Sequence, residues 1–199
     1  MAEEDGGERS NRIVLSEVPR VGYKVGERWY FTPFASCLQA SMDYLGEMYT
    51  YTYILGMSGA AFRLMWNATK WDGGNVDVVF MAEDWAEPFR RAFQAVGFNY
   101  ETLGREDDGE TEFRDAIRQS IAERSHPVLA FGVLGTPEVC IVAGYDDGGT
   151  TLIGWNFFQD NPEAFPEQTF EENGMFRKSD WYADTPGLIL IGNRRPRPP

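Results

Sequence analysis

Histidine is nearly absent from this 199-residue chain: His126 is the single one, and cysteine occurs only twice, at Cys37 and Cys140. One imidazole and two thiols do not make a zinc set, so no metal is expected. Two cysteines also fall short of the disulfide framework of a small secreted domain. Lys and Arg number 18 against 31 Asp and Glu, a formal charge of −13. Affinity for phosphates needs clustered cations, which appear only in the end NRRPRPP (193–199), so no nucleic acid is expected as a partner. No apolar run approaches the roughly 20 residues that cross a bilayer. The start MAEEDGGERSNR is acidic, unlike a signal peptide. The expectations are no membrane contact and a cytoplasmic location.

What the chain has in quantity is rings: 14 Phe, 9 Tyr and 6 Trp within a hydrophobic fraction of 43%. That suffices for one cored domain and excludes a disordered chain. Residues 1–11 read as a disordered tail and 195–199 as an extended one. No repeat or linker divides residues 12–194.

The first half is patterned for helices. SCLQASMDYLG (36–46) offers Ser36 as N-cap and Gly46 as stop. SGAAFRLMWN (58–67) is short and helix-like. AEDWAEPFRRAFQAVG (82–97) opens with acids and ends at Gly97, with Trp85, Phe89, Phe93 and Val96 on one face. TEFRDAIRQSIAER (111–124) repeats that pattern. The second half is patterned for strands: 127–133, 138–145, 151–158, 175–182 and 187–193, with DDGG (146–149) a hairpin signal. Helices followed by a strand meander predict an α+β architecture.

A cysteine opening an early helix, then two hairpin-paired strands carrying Gly-Tyr-Asp, resembles the papain-like cysteine peptidase superfamily. Within it, the chain is most similar to bacterial bacteriocin-leader-peptidase-like domains and to the N-terminal domain of butirosin-biosynthesis-type acyltransferases. The similar segments are FASCLQASMDYLG (34–46), HPVLAFG (126–132), EVCIVAGYDD (138–147) and GWNFF (154–158). The resemblance implies a papain-like fold, N-terminal helices on a C-terminal antiparallel sheet. It implies a nucleophile at Cys37, a base position six residues before Gly144, which falls on Glu138, and an orienting residue at Asn156. The Gln that the family places six residues before its nucleophile is Phe31 here.

A thiol at a helix N-terminus has its thiolate stabilised by the helix dipole and free N–H groups. Glutamate is a poor substitute for histidine beside it. Moving a proton from a thiol of pKa ~8.5 to a carboxylate of pKa ~4.3 is uphill by about 6 kcal/mol, against roughly 3 for imidazole. The carboxylate would also repel the thiolate. His126 is no replacement, since five strand residues put it ~17 Å from the base position. Papain-type proteolysis is therefore not expected at neutral pH.

Three readings stand. One is a divergent cysteine-nucleophile hydrolase or acyltransferase acting on an amide or thioester of a peptide or small metabolite. Another is a catalytically inactive papain-like binding protein for a peptide or small molecule. The third is a structural or partner-binding protein with no ligand. Trp155, Phe157, Trp66 and Trp71 are candidates for lining the binding cleft, with Phe158 and Trp181 beside them. The same rings are better suited still to filling a core between helices and sheet. Cys140 reads as a core residue, and Ser58 with His126 makes no convincing triad. No cofactor is implied, and the oligomeric state is open.

Overall fold

Three two-residue strands, β1 (Ile13–Val14), β2 (Lys24–Val25) and β3 (Arg28–Trp29), precede the first helix. The structure is a computed structural model that describes residues 11–62, 69, 78, 83–105, 109–134, 137–161, 163, 165–166 and 168–196. Helix α1 (Pro33–Tyr44) starts at a Thr-Pro step, with Thr32 as N-cap. Proline's fixed φ and missing N–H suit the first helical position. Ser36 is therefore not the cap: its N–H already closes a helical bond to Thr32 O at 3.2 Å.

Helix α2 (Tyr51–Met57) was not expected from its β-prone composition; Thr50 starts it, accepting from the Tyr53 N–H at 3.1 Å. The expected 58–67 helix is a 3₁₀ turn over Ala60–Phe62, Ser58 caps the end of α2, and 63–67 lie outside the described residues. Helix α3 (Glu87–Val96) starts with Pro88 at its second position and stops at Gly97, left-handed at φ 75°. Strand β4 (Phe98–Gly104) follows at once, in a stretch not expected to be strand. Helix α4 (Glu110–Arg118) runs into a π-helical turn, Gln119–Glu123.

The remaining strands are β5 (Val128–Phe131), β6 (Val139–Asp146), β7 (Thr151–Trp155), β8 (Thr169–Phe170), β9 (Phe176–Ser179) and β10 (Gly187–Arg194). The sheet order is β4-β10-β5-β6-β7-β9-β8, antiparallel throughout, with β1 also pairing β6. The α+β class, with N-terminal helices against an antiparallel sheet, is what the structure shows. The simple meander needs correcting. β10 does not extend the sheet past β9, whose outer side is taken by β8; it returns between β4 and β5. Its run LILIG is apolar toward both faces, which suits an interior strand.

Register assigns the faces, because paired residues point the same way and neighbours alternate. Phe131, Ile189, Ile191 and Tyr100 share one face. Phe89 packs on Phe131 and on Phe34 of α1, and Phe93 stacks on Tyr100 at 4.5 Å, so α1 and α3 cover that face. Leu188, Leu190, Leu103 and Glu101 share the opposite face, toward α4 and its π turn. Among the described residues no helix is long and apolar enough to cross a membrane.

Candidate functional site

The site is assembled where α1 crosses β6. Cys37 is the fifth residue of α1, not its opening residue. The dipole's effect fades beyond the first turn, so the thiolate stabilisation expected of a helix start does not reach this sulfur. Cys37 has no exposed surface, and its Sγ donates to Val139 O at 3.4 Å. Burial drives its pKa well above the ordinary thiol value, and neighbouring Cys140 and Glu138 push the same way. Cys140 is also buried, its thiol pushed up to about 12 by burial.

Glu138 stands just before β6, its backbone oxygen accepting from the Gly132 N–H at 3.0 Å. Its charge is felt at Cys37, while its carboxylate accepts a hydrogen bond from Tyr23. The Tyr23 hydroxyl lies 2.9 and 2.7 Å from the two carboxylate oxygens, donating one hydrogen between them. Tyr23 is raised above the ordinary phenol range, first by burial and then by this bond to Glu138 and by its charge. Sequence reasoning missed Tyr23. It lies 115 residues from Glu138 in a hairpin with no motif, so no spacing signal pointed to it.

Asn156 is buried just past β7 and organises its own loop. Its Oδ1 accepts from the Phe158 N–H at 2.6 Å, and its Nδ2 donates to Gln168 Oε1 at 3.3 Å. This is a side chain closing a turn on its own backbone. Trp155 and Phe157 are buried too. The Trp155 indole N–H donates to Val18 O at 2.9 Å, and Phe157 meets the Tyr23 ring edge-on at 5.1 Å. Trp66 and Trp71 lie outside the described residues. Trp181 does not join Trp155. It is buried against Phe113 of α4, its indole N–H on Gly149 O at 2.9 Å.

The segment before α1 lies against this region. Leu15, Val18 and Val21 are buried, the carbonyls of Val18 and Val21 accept from Trp155 and Gln159, and Tyr23 reaches Glu138. Phe31, where the resemblance leads one to expect a Gln, is 61% exposed and stacks on Trp29. His126 is at the far end of β5 from Gly132, and its Nδ1–H donates to Ile191 O at 2.9 Å. Among the described residues, no three His, Cys, Asp or Glu side chains are grouped as metal ligands.

Fold and site together define an α+β domain in which a helix-borne thiol is sealed against the middle of an antiparallel sheet, next to a carboxylate held by tyrosine. No family model matches the chain, and no curated protein matches it. A solved structure does: the peptidase domain of Streptococcus ComA, a bifunctional ABC transporter involved in a quorum-sensing pathway. The likeness covers 81% of this chain and 91% of that one, at 11% identity and a TM-score of 0.45.

Proposed function

We propose that this domain is a catalytically silent papain-like binding protein whose ligand is a peptide or small molecule. The observation that carries this reading is the condition of Cys37. A nucleophilic thiol has to ionise and reach its substrate, and this sulfur has no accessible surface and a pKa driven upward. The group in the base position makes ionisation harder, because its negative charge opposes a thiolate. Asn156, which the resemblance casts as the orienting residue, spends its amide on a loop. On this reading Cys37, Glu138 and Asn156 hold the papain-like layout instead of acting on a substrate.

The test is a comparison of wild type with Cys37→Ala on a panel of fluorogenic peptide amides and acyl thioesters, together with alkylation by excess iodoacetamide. The expected result is no turnover above that of the variant, and no adduct on native protein under conditions that modify both cysteines after denaturation. Turnover that disappears in Cys37→Ala, or ready native modification of Cys37, would overturn the reading in favour of a cysteine-nucleophile enzyme.

A further inference from the structure

The sheet face turned away from Cys37 carries a half-open groove of about 1160 Å³, between β4, β10 and β1 below and α4 with its π turn above. That exceeds the usual volume of a small-molecule pocket, roughly 300–1,000 Å³, and suits a segment of chain. Its floor is apolar, formed by Ile13, Leu103, Leu190 and Tyr145. Its walls are acidic: Glu101 rises from β4, Glu112 and Asp115 from α4, and Glu123 from the π turn. Among the described residues that line the groove, one guanidinium, Arg118, offsets these four carboxylates, and it lies 3.5 Å from Asp115.

The π turn and the strand edge bear on the same groove independently of charge. The π turn sets Gln119, Ala122 and Glu123 along one rim, and such turns are rare and frequent at functional sites. β4 ends the sheet order, and among the described residues it pairs only with β10. An edge strand of seven residues presents backbone donors and acceptors on which an extended peptide can add as a further strand.

We propose that this groove binds an extended, basic peptide segment of a partner protein, laid along β4 with Lys or Arg at alternate positions. Such side chains match the groove's two chemistries at once. Their aliphatic stems cover Leu103 and Leu190, while their charged heads reach the carboxylates of Glu112 and Glu123. Alternation follows from the strand itself, since every second side chain faces the same side. An acidic partner is repelled, so charge sets the choice of ligand.

The probe is a fluorescein-labelled nonapeptide of alternating Lys and Thr, read by fluorescence anisotropy against the same peptide with Glu for Lys. The Lys peptide is expected to bind, with affinity falling about fivefold between 50 and 200 mM salt as screening grows. Glu112→Lys with Glu123→Lys changes two exposed residues and is expected to weaken binding at least about tenfold. Glu27→Lys with Glu172→Lys alters the net charge equally, at exposed positions outside the groove, and is expected to leave affinity unchanged. Amide shifts on titration should concentrate in residues 98–104. Equal losses in the two double variants would mean that overall acidity binds the peptide and would overturn the proposal. So would binding of the Glu peptide, or amide shifts centred elsewhere.

Discussion

Replacing Tyr23 by Phe tests the arrangement around Glu138 most directly. The substitution keeps the ring, and with it the edge-on contacts to Phe157 at 5.1 Å and Phe158 at 6.0 Å. It removes one hydroxyl, whose hydrogen is shared between both oxygens of Glu138 at 2.9 and 2.7 Å. A hydrogen bond to a charged group is worth about 1.5–3 kcal/mol, and at a half-buried carboxylate the lower end applies, about 1.5. With a urea slope of roughly 2 kcal/mol per molar, the unfolding midpoint falls by about 0.7 M at pH 7. The pH dependence is a second measure. Tyr23 is raised in the folded protein, by burial first and then by Glu138. A raised phenol contributes stability that is complete below the unfolded value near 10 and is lost as pH climbs toward the folded value. Phenylalanine has no such proton. The gap between wild type and variant should therefore narrow between pH 10 and 11.5, measured by urea unfolding at each pH. A variant within about 0.3 kcal/mol of wild type at pH 7, or a gap that stays constant to pH 11.5, refutes the assignment of Tyr23 as the group that holds Glu138.

Other perturbations have equally definite outcomes. Arg177 bridges Asp146 at 2.9 Å and Glu171 at 2.5 Å, and Arg12 bridges the same two carboxylates. Their arginine partners lower both acids, so this stabilisation is present above the ordinary carboxyl range and fades as pH falls through the folded values. Arg177→Met should cost about 1 kcal/mol at pH 7, with the difference from wild type shrinking at pH 3 in thermal melts. Gly144→Ala places a methyl 2.6 Å from Ile13 O and 2.9 Å from Val14 Cα, both backbone atoms. It should lower stability by about 1–3 kcal/mol and raise amide exchange in β1. Asn156→Ala should cost about 1–2 kcal/mol through its lost turn bonds while leaving Cys37 as unreactive toward iodoacetamide as before.

Much of the layout was legible because its signals are local. The left-handed stop of α3 was readable at Gly97, since glycine alone takes that conformation without steric cost. The turn after β6 was readable in DDGG, where Asp147, Gly148 and Gly149 all have positive φ. That Cys37 and Glu138 lie near each other was implied by the resemblance, and the two are near enough for one charge to act on the other. The start of α1 was equally local but assigned four residues late. Thr32-Pro33 is a better helix start than Ser36, and with it Cys37 moves out of the dipole's reach.

The sequence by itself determined which residue types are present to meet: a thiol, a carboxylate, and strands apolar enough to bury a sheet. The reactivity of that thiol was decided only by tertiary structure. Val18, Val21 and Tyr23 come from a segment far from β6 and β7, and no periodicity records that they lie against the ends of those strands. The groove on the other face has the same origin, since Glu101, Glu112 and Glu123 face one another only after β4 and α4 have packed. Capping and turn signals act between residues a few positions apart. Desolvation and charge proximity depend on everything that surrounds a group in space, and for Cys37 that surrounding is drawn from both halves of the chain.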